Sequence, residues 1–313
     1  MIQVKTNSKK ILPGDTFIAL RGIRNDGHDY ISDAIKRGAK KIIAEEGSYP
    51  ISYEIVNDTR AYLNEYLKEH YNEYFNKIQI IGITGTNGKT TICTLLREAL
   101  NAVGHKCASI GTLGFYIGNE LIEDLENSTP DLCDLYDYID QAIEAGCSYV
   151  TMEVSSHALM NGRVESLLFN HAIFTNLTQD HLDYHKTLDN YAKAKQILFT
   201  KTRGEKIAVI NADDPYHERF MMSENKNITI SDHLGDVRIL DIHFSNLGTK
   251  FSFIFEGVEY ETHINMVGRY NVYNYLTALM LVKNLGFSID ELLNLNETLS
   301  APKGRMEMIK YGT

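Results

Sequence analysis

Residues 78–91, Ile78-Gln-Ile-Ile-Gly-Ile-Thr-Gly-Thr-Asn-Gly-Lys-Thr-Thr91, constrain this chain more than any other stretch. β-branched apolar residues lead into Gly82, Gly85 and Gly88, then into Lys89-Thr90-Thr91 and an apolar run suited to a helix over 92–103. Strand, glycine-rich turn, lysine, hydroxyl and helix form the layout of a loop that cradles phosphate. Glycine lets the backbone turn its N–H groups toward an anion, and the helix N-terminus adds partial positive charge. Lys89 is placed to reach the terminal phosphates, and the Thr90 hydroxyl to ligate magnesium. The first glycine of the G-x-x-x-x-G-K-[ST] pattern is displaced, because position 83 holds Ile83.

A phosphate-binding loop must here act locally. The chain of 313 residues carries a net charge of −10, a global field unsuited to nucleic acid. Its four cysteines, Cys93, Cys107, Cys133 and Cys147, show no CxxC or metal-site spacing and read as buried thiols of a reducing compartment. The first ten residues lack the apolar core of a signal peptide. No apolar run approaches the roughly 20 residues of a spanning helix. The expectation is a cytoplasmic, monomeric protein without a membrane span.

The pattern around the loop predicts an α/β fold in two parts. Residues 1–77 read as a small α/β domain: strands at 16–20 and 41–44, a helix over 30–37 stopped by Gly38, a second over 58–71 with Asp58 as N-cap, and a linker at 71–77. Residues 78–313 alternate strand and helix, with strands near 106–110, 149–154, 169–177 and 207–210. Thr129-Pro130-Asp131 reads as a helix start, Ser155-Ser156 as the cap of a short helix, and 188–199 and 269–285 as longer helices. This predicts a mostly parallel sheet wrapped by helices, with a small antiparallel excursion over 237–266.

Two further segments carry chemistry. Glu153 closes a strand at the edge where open α/β sheets bind ligands, so it could hold magnesium opposite the loop, or cap a neighbouring helix. Next to it, His157 reads more readily as structural. Asp180, His181, Asp183 and His185 crowd the segment after the following strand, consistent either with metal or acid–base work or with a hydrogen-bonded polar loop. The spacing lacks the H-x-x-x-H form, so a zinc hydrolase is not indicated.

Gly85-Thr-Asn-Gly-Lys-Thr-Thr91, Met152-Glu-Val-Ser-Ser-His-Ala-Leu159 and Asn176-Leu-Thr-Gln-Asp-His-Leu-Asp-Tyr-His185 together resemble the signatures of the Mur ligases, most closely the MurE type. The resemblance runs on through Asn211-Ala-Asp-Asp-Pro215, Gly268-Arg-Tyr-Asn-Val-Tyr-Asn274 and Pro302-Lys-Gly-Arg-Met-Glu307, and back to Pro13-Gly-Asp-Thr-Phe-Ile-Ala-Leu20, covering nearly the whole chain. It implies a UDP-sugar-binding N-terminal domain, a central ATP-binding domain and an ADP-forming amide ligase of peptidoglycan precursor synthesis. Such an enzyme joins a diamino acid to UDP-MurNAc-L-Ala-D-Glu through an acyl phosphate. ATP and Mg²⁺ are the implied cofactors.

The resemblance also assigns roles. Gly85, Thr86, Asn87, Gly88, Lys89, Thr90 and Thr91 would hold the ATP phosphates, Asn271 and Asn274 the adenine region, and Arg305 the nucleotide. Thr90, Glu153, His181 and a carbamylated Lys195 would hold magnesium, with Lys89, Glu153, His181 and Lys195 as the catalytic set. Without the resemblance, Lys195 reads as a solvated helix lysine. Ser8, Asn127, Ser128, Thr129, Ser155, Asn161 and Arg163 would contact the UDP-linked substrate. Lys9 stands where the family has arginine, a point charge in place of a bidentate fork, and Asn161 stands where glutamine is common. Family members continue for about 150 residues more, one domain length. The chain is therefore expected to lack the amino-acid-binding domain and to bind ATP and precursor while ligating poorly. The rival readings are another ligase of this fold, such as a folylpolyglutamate synthase, and a non-catalytic nucleotide- or precursor-binding module. A GTPase switch would need an N-K-x-D motif, which the chain lacks.

Overall fold

The computed structural model describes residues 3–22, 25–296, 298–302 and 304. It divides into two compact units that interleave along the chain: 1–77 with 131–144 and 164–166, and the remainder.

The first unit holds a four-stranded parallel sheet in the order β1 (Val4–Lys5), β2 (Thr16–Ile18), β3 (Lys41–Ala44), β4 (Ser52–Ile55). Phe17, Ile18, Ile42 and Ile43 are fully buried, as expected of a parallel sheet covered on both faces. Helix α1 (Ile31–Lys36) follows a 3-10 turn, and α2 (Thr59–Tyr71) is capped by Asp58, whose Oδ1 accepts from the N–H groups of Arg60 and Ala61. The stretch expected as a linker instead forms the short helix α3 (Tyr74–Lys77), because Phe75 is buried and its ring meets Tyr136 edge to face. Tyr136 belongs to α5 (Leu132–Glu144), which packs within this first unit, where Lys5 pairs with Asp137.

In the second unit the described residues form one sheet of 11 strands. Its centre is parallel: β12 (Lys226–Ser231), β11 (Thr202–Asn211), β10 (Phe169–Phe174), β5 (Gln79–Thr84), β9 (Tyr149–Glu153) and β6 (Cys107–Gly111). One flank is the hairpin pair β13 (Val237–Ser245), β14 (Gly248–Phe255) and β15 (Val258–Ile264), the antiparallel excursion anticipated from Phe251, Phe253 and Tyr260. The other is β7 (Gly114–Ile117) and β8 (Glu120–Glu123), which hydrophobic patterning did not reveal because β8 is exposed throughout. Helix α4 (Lys89–Ala102) buries Ile92, Leu95, Leu96, Ala99 and Leu100, the i, i+3, i+4 stripe of a core-facing helix, and packs on α9 (Arg269–Asn284). The remaining helices are α6 (Ser156–Met160), α7 (Leu182–His185), α8 (Leu188–Thr200) and α10 (Ile289–Leu293).

Thr129 does not cap a helix. Its hydroxyl donates to the Glu153 carbonyl oxygen at 2.9 Å, which pins the loop to the end of β9, and α5 begins only at Leu132. All four cysteines are free and buried. Among the described residues no helix is long and apolar enough to cross a membrane.

His171 makes the sheet core pH-sensitive outside the site. His171, 3% exposed on β10, places Nε2 2.9 Å from Gln79 Oε1 and accepts the Ile207 N–H on Nδ1, so the ring is neutral. Burial pushes its pKa down to about 4. The unfolded chain protonates this residue near pH 6.5, so its contribution is complete above that pH and is lost as pH falls toward 4. Unfolding should become easier by about 3 kcal/mol across that window. The urea midpoint measured from pH 7 to 4 should fall less steeply in His171→Gln, with His185 supplying much of the remaining slope.

Candidate active site

The loop after β5 is built on two glycines in backbone conformations that disfavour a side chain, Gly85 at φ 149° and Gly88 at φ 89°. The segment after β10 braces it from one side. The Thr175 hydroxyl donates to the Asn87 carbonyl at 2.6 Å, Asn176 Oδ1 accepts the Asn87 N–H at 3.0 Å, and the Thr86 N–H donates to the Asn176 carbonyl at 2.8 Å. On α9, the buried Asn274 lies so close to Gly88 that a Cβ there would meet its Oδ1 at 2.6 Å. Asn271 accepts from Asn274 Nδ2 and donates to the Val267 carbonyl, so part of its polar capacity closes the first turn of α9. Thr90 and Thr91 begin α4 and are largely buried.

Two lysines converge on the loop. Lys89 Nζ donates to the carbonyls of Gly85 at 2.9 Å and Thr86 at 2.7 Å. Lys195 Nζ, from α8, donates to the same Gly85 carbonyl at 2.8 Å and lies 4.3 Å from the centre of the Tyr191 ring. Lys195 is 1% exposed, so it is not the solvated lysine its residue type suggests. Burial, reinforced by the Lys89 charge and opposed by Asp180, holds its amine well below the ordinary lysine range.

Glu153 ends β9 with 2% exposure. Its Oε1 accepts the Thr112 N–H at 2.7 Å and its Oε2 the Thr112 hydroxyl at 3.2 Å. Beyond it, Ser155 caps α6 through the Ala158 N–H, and Arg163 Nη1 donates to the Thr129 carbonyl at 3.0 Å. Asn161 Oδ1 accepts from the Tyr184 hydroxyl at 3.1 Å. Asn127 is exposed and Ser128 half-buried in the same loop as Thr129.

His181 takes a left-handed conformation at φ 52°, with its N–H donating to Asp180 Oδ1 and its ring edge-on to His157 at 4.7 Å. His157 also meets Tyr184 and His185, and burial with the nearby His181 lowers its pKa. His185 is buried, 2.9 Å from the Ser156 hydroxyl and stacked on Tyr191, and burial, with His157 and Lys195 nearby, pushes its pKa down to about 4. His181 and Lys195 both approach the Tyr191 ring.

The arrangement supplies hard oxygen and nitrogen donors beside a loop of the phosphate-cradling type. Glu153 and His181 do not form part of a three-member group of converging His, Cys, Asp or Glu donors among the described residues; Asp213, Asp232 and His233 do, within 4.8 Å. That trio is committed elsewhere: Asp232 pairs with Arg269, and Asp213 accepts from Ser231 and Tyr273. A magnesium ion needs only one or two protein carboxylates when phosphates and waters complete its shell. Glu153 fits that role, since each oxygen keeps a lone pair beyond its Thr112 bond. Ser8 lies in the first unit, buried, its hydroxyl donating to Asp33. Arg305 lies outside the described residues. Thr112, Thr175, Asn176 and Tyr191 hold this site together without having been singled out from the sequence. Their signal was positional: each follows a strand end or sits one helical turn from a candidate.

Residues 83–282 match the Mur ligase middle domain, and residues 3–76 match the Mur ligase family, catalytic domain. The chain belongs to the Mur ligase family. Among similar curated proteins, the UDP-N-acetylmuramoyl-L-alanyl-D-glutamate--2,6-diaminopimelate ligase of Parabacteroides distasonis is 38% identical over 98% of this chain and 63% of its own length. The enzyme of the same name from Clostridium perfringens is 36% identical over 98% and 64%. The chain therefore spans just under two thirds of the relatives it matches. A solved structure of a UDP-N-acetylmuramoyl-L-alanyl-D-glutamate--2,6-diaminopimelate ligase superposes with a TM-score of 0.84 at 29% identity, over 99% of this chain and 65% of that one. The MurF ligase of Thermotoga maritima in complex with ADP shares the fold, with a TM-score of 0.70 at 20% identity over 98% and 68%.

Proposed function

We propose that this family member serves ATP-dependent ligation of a diamino acid to UDP-MurNAc-L-Ala-D-Glu, in the cytoplasm and as a monomer. The observation that carries the reading is the meeting of Lys89 and the buried Lys195 on the Gly85 carbonyl of the phosphate-type loop.

In this reading the loop amides and Lys89 bind the ATP phosphates, and Asn271 and Asn274 border the base. Lys89 leaves its two carbonyl acceptors for phosphate oxygens, a charge-assisted exchange. Bound magnesium, held by Thr90, Glu153, His181 and a carbamylated Lys195, would neutralise charge on the phosphoryl group in transfer. The depressed Lys195 amine supports carbamylation, because only the unprotonated amine attacks CO₂; the product is an anion and a released proton. Arg163, Ser155, Asn161, Asn127, Ser128 and Thr129 line the candidate substrate side, with Ser8 on the UDP side. The Thr129 hydroxyl can donate to substrate only by giving up its bond to the Glu153 carbonyl, so its part is chiefly to shape the loop. The γ-phosphate passes to the substrate carboxylate, and the incoming amine displaces phosphate from the acyl phosphate to form the amide.

An oxygen-18 experiment tests this. UDP-MurNAc-L-Ala-D-Glu labelled in the D-glutamate side-chain carboxylate, incubated with stoichiometric protein, ATP, Mg²⁺ and diaminopimelate, should give phosphate carrying one label. Unlabelled phosphate would mean that water, not the carboxylate, receives the phosphoryl group.

A further inference from the structure

We propose that Thr112 is a positioning residue for Glu153, and that position 111 is glycine because this carboxylate occupies the space a side chain would need. The inference rests on the reading of Glu153 as a magnesium ligand. Both Glu153 oxygens are held by one residue, Oε1 by the Thr112 N–H at 2.7 Å and Oε2 by its hydroxyl at 3.2 Å. Two donors on a single residue fix the carboxylate plane as well as its position. The main-chain carbonyl of Glu153 accepts from the Thr129 hydroxyl at 2.9 Å. Gly111 ends β6, next to β9 in the sheet, and its backbone lies outside the left-handed region, so no turn requires glycine there. A Cβ at 111 would instead overlap Glu153 Oε1 and stand 2.9 Å from its Cγ. Glycine followed by threonine is thus a socket for one carboxylate. Thr112 occupies one lone pair on each oxygen and leaves one on each to accept another partner. Groups that orient a metal ligand in this way are typically worth 10–100-fold in metal affinity.

The test is a Mn²⁺ titration of the chain with a non-hydrolysable ATP analogue, read by the loss of the free-Mn²⁺ EPR signal. Glu153→Gln should lose the tight site. Thr112→Val should weaken it about tenfold, and Thr112→Ser should return it to within about twofold of the parent. Binding of the analogue without metal should be the same in Thr112→Val and Thr112→Ser as in the parent. If Thr112→Val melts below the assay temperature, Thr112→Ala provides the same reading. Mn²⁺ affinity unchanged in Glu153→Gln overturns the assignment of Glu153 and this inference with it. Weakening in Glu153→Gln with parental affinity in Thr112→Val overturns the inference alone.

Discussion

Gly85→Ala is expected to lower nucleotide affinity by about 100-fold or more, about 3 kcal/mol. The residue combines two constraints. Its φ of 149° falls where side chains are strained, and a Cβ would overlap the Thr175 hydroxyl. That hydroxyl donates to the Asn87 carbonyl, so relieving the overlap moves the brace that sets the loop. The Gly85 carbonyl is also the shared acceptor of Lys89 and Lys195, and a shift there displaces both side-chain nitrogens. Calorimetry with Mg·ATP checks the prediction, with a thermal melt to confirm folding. The double variant Gly85→Ala/Thr175→Ala removes the hydroxyl overlap, but it leaves the backbone strain and tight contacts to the residue 175 Cβ and the Asn176 N–H and loses the Asn87 brace, so it should recover little of the affinity.

Lys195→Met should reduce ligation by about 100- to 1000-fold, the scale seen when one preorganised charge-stabilising group is removed, while leaving the melting temperature unchanged or raised. Methionine fills similar volume, no buried amine is left to desolvate, and the Gly85 carbonyl keeps Lys89 as its donor. Lys195→Arg should fail as well, for different reasons. The guanidinium is larger than the space around a 1%-exposed side chain, stays charged and cannot form a carbamate. It should therefore lose both activity and stability. Amide formation measured beside melting curves separates the two variants: a simple packing role would cost stability in both, and a surface role would affect neither.

The fold was legible where local signals agreed with tertiary ones. The strand–glycine–lysine–helix sequence, the Asp58 cap and the aromatic alternation at 251–255 all predicted what forms. The misses have physical reasons. Strand β8 is exposed along its length, so it has no apolar alternation to read, and Tyr71–Lys77 contains one buried ring that settles its structure through a distant partner. Lys195 illustrates a signal present but overruled by residue type. Tyr191, Ala192, Ala194, Leu198 and Phe199 form the buried stripe of α8, and position 195 falls in it by spacing alone. A lysine in a helix's apolar stripe is itself a marker of function. Thr112 had no comparable marker, since its role depends on which strand lies beside β6, and strand order is not written in any local pattern.

The central claim is that the loop at 85–91, Glu153, His181 and Lys195 serve a single magnesium–nucleotide site. Calorimetric titration of the chain with ATP, with and without Mg²⁺, in the parent and in Lys89→Ala, tests it most directly. The account predicts one nucleotide per chain, binding that is strengthened by Mg²⁺, and a loss of about 30-fold or more in Lys89→Ala from removal of a charge-assisted phosphate contact. Equal binding by Lys89→Ala, or affinity indifferent to Mg²⁺, would contradict it.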